Sequence, residues 1–355
     1  MLKKLVLAGI VGLMTLGMVS TIYAQVEVHG FLLARTIVWN KTYSARIERY
    51  GFQFREKMND EFDWLTEVYI HPQVTSATGR LYMESAFLNW HLKNRLPWDF
   101  NVRIGKGRNY CYGITPSYSS RRTSDYSLYS EAFTQLRVIG FQTFSNFGEN
   151  IQLAIALVNP YTFASRQLPD FVTQEGGKWI DGIDVPICDR DTDDSKFDRV
   201  GVSGRLGYKN SLLNVGANAY ISDPKKGVTG AKTRFGLDGE LKLENGLLVQ
   251  AQFTMAKTVN VKIYDGSIVD LDHFGAEGLV GWEKNKIGLY ARYGMMSYDD
   301  KLQDVNSTML TAVYKIHPRV HLRLEGLIDG EKEDAAKGWA KADNDVLFFE
   351  TMFAW

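Results

Sequence analysis

From Val26 onward, apolar residues recur at every second position through most of the chain, with polar residues or glycine between them. Residues 150–158 set Ile151, Leu153, Ile155 and Leu157 on one face. Residues 212–221 set Leu213, Val215, Ala217, Ala219 and Ile221 against Asn214, Gly216, Asn218 and Tyr220. In residues 247–256, Leu247, Val249, Ala251, Phe253 and Met255 oppose Gln250, Gln252 and Thr254. A period of two is that of β-strands whose two faces meet different surroundings. Followed along the chain, it predicts sixteen strands beginning near Val26, Arg46, Phe62, Arg80, Trp98, Glu131, Asn150, Asp198, Leu212, Lys232, Leu247, Leu271, Lys286, Val305, Val320 and Asn344. Short turns at 59–62, 94–97, 147–149, 209–211, 244–246, 284–286 and 317–319 alternate with longer loops, above all 109–130, 160–197 and 330–343.

Most of these strands run near ten residues or more, whereas strands of soluble sandwiches and propellers usually have about five or six. No 20 to 50 residue repeat marks a propeller. One apolar and one polar face on long strands imply an all-β fold: a closed, transmembrane, antiparallel β-barrel of about 16 strands, greasy outside and wet inside. Closure pairs every strand edge, which a sheet in hydrocarbon requires. An even strand count places both termini on the side of the short turns. Residues 344–355 form the last strand, with Leu347, Phe349, Phe353 and Trp355 sharing one face.

The amino end changes the picture by supplying an address. Lys3 and Lys4 precede an uncharged apolar run from Leu5 to about Ser20, and Thr21-Ile22-Tyr23-Ala24 ends in a small residue suited to signal peptidase. Residues 1–24 therefore read as a cleaved signal peptide and 25–355 as a single barrel domain, located in the bacterial cell outer membrane among lipid and lipopolysaccharide. An uncleaved anchor is the competing reading, but it leaves no linker before the strand pattern at Val26. No other segment is apolar enough for a membrane helix. Eight Trp, 18 Tyr, 19 Phe and 32 Gly against 8 Pro, within 45% hydrophobic content, fit a barrel with an apolar belt and a polar lumen. Forty-one basic and 41 acidic residues leave no net charge and no sign of a nucleic-acid partner.

If the apolar phase meets lipid, the other phase lines the lumen. Arg35, Arg49, Arg55, Arg103, Arg137, Arg199 and Arg205 then project inward from the first eight strands against few acids, chiefly Glu27 and Glu67. From the later strands Arg234, Lys242, Arg292 and Arg323 are matched by Asp238, Glu240, Glu277, Glu325 and Glu350. Two meanings stay open: opposed walls that set a field across a narrow pore, or arginines that pair with neighbouring carboxylates and brace the wall.

The third outer loop, 109–130, carries five tyrosines with Arg121 and Arg122. With Lys106 and Arg108 beside it, it is the candidate for an anion-attracting constriction, the competing reading being a basic loop that faces anionic lipopolysaccharide. The loop 160–197 turns acidic at Asp181, Asp184, Asp189, Asp191, Asp193 and Asp194. The spacing of Asp189, Asp191 and Asp193 resembles the start of a calcium loop, but Asp194 stands where its glycine belongs and the glutamate at the twelfth position is missing. A solvated acidic loop explains it better, so no metal site is assigned. Cys111 and Cys188 fall in the third and fourth outer loops, and an oxidising periplasm permits a bridge between them. Neither CxxCH, HExxH, GxSxG nor a P-loop occurs, so no cofactor and no enzyme chemistry are read here.

In RYGFQFREK at 49–57, ESAFLNWHLKNRLPWDFNVRIGKGR at 84–108 and the terminal FETMFAW, the chain resembles bacterial outer-membrane porins and is most similar to the phosphate-selective porin O and P superfamily. The resemblance implies a homotrimer and a water-filled channel for passive diffusion of small hydrophilic solutes and ions. It also implies a third loop folded into the barrel. Phosphate-specific members carry lysine-rich constrictions, whereas loop 109–130 has arginines and no lysine run, which implies at most a weak anion preference. Members usually end in phenylalanine; Trp355 can take that anchoring role toward the barrel-assembly machinery. A second reading comes from another class: a barrel that sheaths a partner protein, such as an electron-transfer cytochrome or an adhesin.

Overall fold

A computed structural model describes residues 26–37, 44–71, 80–92, 96, 98–114, 122–123, 127–134, 137–159, 162–166, 185–190, 200–222, 231–262, 268–300, 304–332, 334 and 345–355. The expected signal peptide, 1–24, lies outside them. The strands run β1 Glu27–Ile37, β2 Ser44–Lys57, β3 Phe62–His71, β4 Arg80–His91, β5 Asp99–Arg108, β6 Arg137–Phe147, β7 Ile151–Val158, β8 Thr162–Arg166 and β9 Val185–Arg190. They continue as β10 Gly201–Lys209, β11 Leu213–Ser222, β12 Lys232–Lys242, β13 Leu247–Lys262, β14 Ile268–Lys284, β15 Ile287–Ser297, β16 Val305–His317, β17 Val320–Glu331 and β18 Val346–Ala354. Sixteen of them close an antiparallel barrel, and β8 with β9 forms a separate two-stranded sheet.

Burial follows the alternation of the sequence. On β13, Val249, Phe253 and Met255 are exposed on the outer wall, while Gln250, Gln252 and Thr254 are buried in the interior. On β7, Ile151, Ile155 and Leu157 stand outward while Ala154, Ala156 and Val158 are buried. The outer face leaves Leu206 59% and Leu237 60% exposed, and an apolar belt of that extent is a surface made for hydrocarbon rather than for water.

Asparagines build several of the short turns. Asn59 Oδ1 accepts the backbone N–H of Glu61 and of Phe62, each at 2.8 Å. Asn210 Oδ1 accepts those of Leu212 at 2.9 Å and Leu213 at 2.7 Å. Asn285 adopts a φ of 55°, a left-handed conformation that asparagine tolerates at turns.

Closure joins the two ends of the chain. Strand β1 pairs with β18 from Phe31 opposite Ala354 to Ile37 opposite Phe348. Beyond that ladder, Gly30 N–H donates to Trp355 O at 3.1 Å and Trp355 N–H donates to Gly30 O at 2.9 Å. The Trp355 ring lies over Gly30 and meets the Phe52 ring edge-on, 5.9 Å between centroids.

Two expectations need correction. The sixth barrel strand begins at Arg137, not Glu131, because Ser130–Thr134 forms a π-helical turn, in which the Thr134 hydroxyl donates to Ser130 O at 3.4 Å. The stretch 160–197, read as a loop without strands, contains the β8–β9 hairpin, with Phe163 opposite Asp189 and Ala164 opposite Cys188.

A Cβ on Gly30 would collide with the Trp355 ring and lie 2.7 Å from Gly51 O. Gly30→Ala should therefore destabilise the closed barrel by about 1–3 kcal/mol. The test is the temperature at which the folded band converts to the unfolded band in SDS gel electrophoresis, which should fall.

Candidate functional site: a loop folded into the lumen

Strand β5 ends at Arg108 and β6 starts at Arg137. The chain between them crosses the interior to the far wall, where the polar phase of β12 to β15 receives it. Asn109 Nδ2 donates to Ser203 Oγ on β10 at 3.0 Å. The hydroxyls of Tyr112 and Tyr129 both bond Thr254 Oγ1 on β13, at 3.1 and 2.8 Å. Gln252 grips the backbone of Ile114 at both groups, accepting from its N–H at 2.7 Å and donating to its carbonyl at 2.9 Å. Arg122 Nη1 donates to Glu240 Oε2 at 2.9 Å and to Gln250 Oε1 at 3.3 Å, and its Nε lies 3.5 Å from Glu283 Oε1. Glu283 is adjacent to the 284–286 turn, so Arg122 reaches the short-turn end of that wall. On the return, Arg292 Nη1 donates to Thr123 Oγ1 at 2.6 Å, and Ser130 Oγ donates to Glu277 Oε2 at 3.5 Å.

This packing is apolar at its centre. Tyr112, Tyr129, Phe133 and Val138 are buried in one cluster with Tyr220, Leu271, Met296 and Tyr298. Phe133 stacks on His273 at 5.8 Å between centroids, and His273 stacks on Tyr298 at 5.9 Å. Arg234 lies over the Phe133 and Tyr220 rings at 5.2 and 5.3 Å. Loop three is thereby held against the wall of β12 to β15, across the interior from the wall of β1 to β5 and β16 to β18.

On that wall the arginines are largely paired. Arg35, opposite Glu350 in the ladder, donates from Nη2 to Glu350 Oε2 at 3.1 Å, and Arg323 pairs with the same carboxylate from the other side. The basic strands and the mixed strands are neighbours at the seam and neutralise one another there. Elsewhere Arg205 holds Asp238 through Nε at 2.9 Å, and Arg137 and Arg108 both reach Glu84. Arg35, Arg108, Arg122, Arg137, Arg205 and Arg323 each lie against a carboxylate. The reason is cross-strand register, which places carboxylates within reach that sequence distance hides.

The remaining candidates are placed differently. Arg103 donates to Asn89 Oδ1 at 2.9 Å and lies over Phe87 at 3.9 Å and Tyr110 at 4.9 Å. Arg49 lies over Tyr69 at 5.3 Å. Arg55 is exposed at the short-turn end of β2. Lys106, partly buried on β5, pairs in the ladder with Ala86 and Ile139. Arg121, Arg199 and most of the acidic run lie outside the described residues. Among the described residues, no group of His, Cys, Asp and Glu could hold a metal ion. Below Arg103, Asp63 accepts from Asn89 at 2.6 Å and lies 2.6 Å from His91 Nε2, while His91 Nδ1 lies 2.6 Å from Asn101 Oδ1. Asp99 takes the amides of Asn101 and Asn146 at 3.1 and 2.8 Å. Of the loop-holding residues, Gln252 and Thr254 appear in the sequence reading only as part of the polar phase, and Glu283 is not singled out there.

Cys111 is a free, buried thiol inside the barrel, with its Sγ 4.0 Å from Gln142 Oε1, and the side chain of Cys188 on β9 is outside the described residues. Cys111 packs in the buried loop-three cluster with Tyr112, Tyr129 and Phe133.

The architecture is that of the porin-type barrels of outer membranes. In fold it is similar to the outer-membrane channel DcaP of Acinetobacter baumannii, with TM-score 0.64 and 12% identity over 95% of this chain and 99% of that one. It is also similar to the anion-selective porin of Comamonas acidovorans, with TM-score 0.59 and 11% identity over 94% of this chain and 100% of that one. The in-vitro folded OmpT of Vibrio cholerae in its trimer form matches at TM-score 0.55 and 13% identity, over 94% of this chain and 100% of that one. No protein-family model matches the chain, and no curated protein matches it.

Burial, opposed by the nearby Arg103 guanidinium, pushes the Cys111 thiol up to about 12. In the folded barrel it should therefore react with maleimide very slowly at neutral pH, and faster as pH rises toward that value. In denaturant without reductant it should be alkylated at once, with intact mass as the readout.

Proposed function

We propose that the mature barrel, freed of residues 1–24, sits in the bacterial outer membrane and conducts small hydrophilic solutes and ions by passive diffusion. The observation that carries this reading is a polar lumen crossed by a loop anchored through Tyr112, Ile114, Arg122 and Tyr129. Such a loop narrows an aqueous passage and sets what passes by size and charge. The loop also occupies the space that a sheathed cytochrome or adhesin would need, which favours a channel over a sheath. Three short stretches of sequence support a place near the phosphate-selective porin O and P superfamily. The trimer form of the Vibrio cholerae protein supports a homotrimer. Lipopolysaccharide would surround the outer loops, and the strand ending in Trp355 would engage the barrel-assembly machinery.

Anion preference is weak in this reading. Arg49 and Arg103, stacked on Tyr69 and Phe87, lend the opposite wall a basic character, while pairing elsewhere removes most of the field. Purified protein in planar bilayers should show stable open conductance; a tight seal without current would refute the channel. Arg122→Ala would strip the counter-charge from Glu240 and Glu283. It should lower the anion-over-cation permeability ratio roughly twofold, read as a shift in reversal potential.

A further inference from the structure

We propose that Glu84 is the positioning residue that holds loop three in the lumen, by neutralising two arginines that stand face to face at the loop's base. Arg108 and Arg137 are the residues between which loop three departs and returns, and they are direct partners in the β5–β6 ladder. Like charges opposed across a ladder repel, and these two are only 3% and 8% exposed, so water screens them little.

One carboxylate serves both. Arg108 Nη2 lies 3.5 Å from Glu84 Oε1, and Arg137 Nη2 pairs with that same oxygen. Glu84 is itself buried. It is also the extra residue of a β-bulge: Glu67 pairs with Ser85 and Val68 with Met83, so Glu84 has no ladder partner on β3. A bulge re-aims a side chain, and here both Glu84 and Ser85 are buried. Below the clamp the strands are pressed together. Gly105, with φ +130°, pairs with Gly140, and a Cβ on Gly105 would collide with the Ala86 carbonyl. The backbones at the base of the loop are thus closely apposed, and Glu84 supplies one carboxylate shared by both arginines at the loop's root. Cys111, three residues beyond Arg108 and fully buried, reports on that root.

The proposal deepens the diffusion-channel reading, but its main test does not depend on it. In a Cys188→Ser background, labelling of Cys111 by a small maleimide is followed by intact mass on the whole folded barrel. Glu84→Gln should speed labelling on the order of tenfold or more, since a held segment then opens locally. Adding Arg108→Gln and Arg137→Gln to Glu84→Gln should bring the rate back toward the parent, because no like charges remain to separate. An unchanged rate in Glu84→Gln, or a triple variant as fast as the single one, overturns the proposal. Should Glu84→Gln not assemble, Glu84→Asp draws the carboxylate back from Arg108 and should give a severalfold increase; an unchanged rate there overturns it equally. In bilayers Glu84→Gln should add flicker to the open current, and quiet current identical to the parent's counts against the clamp. A parent without conductance defeats the channel reading alone and leaves the labelling result to decide the clamp.

Discussion

A sheet bordered by hydrocarbon cannot leave backbone groups unpaired, and this constraint organises the molecule. It requires β1 to meet β18, and the meeting carries more than main-chain bonds. Glu350, fully buried, stands between Arg35 and Arg323 in adjacent strands, so the seam is charged but balanced. Just beyond it the Trp355 ring covers Gly30, where only a residue without a Cβ lets the last strand lie close.

The same closure fixes the electrostatics of the interior. Read linearly, the first half of the barrel is rich in arginine and the second half is mixed. Rolled into a cylinder, each half borders the other, and loop three carries Arg122 across to Glu240 and Glu283. Buried pairs of this kind contribute little net stability, but the loss of one partner is costly. Their effect is geometric: they hold the loop against one wall.

The strand starts were legible because period two is a strong signal, and Phe62, Arg80, Lys232, Leu247, Val305 and Val320 begin strands where the alternation places them. The sixth start was displaced because Ser130, Ala132 and Phe133 are as compatible with a helical turn as with an extended one. The β8–β9 hairpin was hidden in a stretch without clear alternation. Which inward residues pair was not legible. Arg122 and Glu240 are 118 residues apart, and only the barrel's register brings them together.

The pairing of β1 with β18 joins residues more than 300 positions apart, as with Arg35 and Glu350 at a separation of 315. Contacts so distant are slow to form, because the chain between them must first be ordered. Until they form, two long open borders stand ready to pair with any other chain. The cylinder therefore has no stable half-built version, and its assembly calls for something that shields both borders until the final strand arrives.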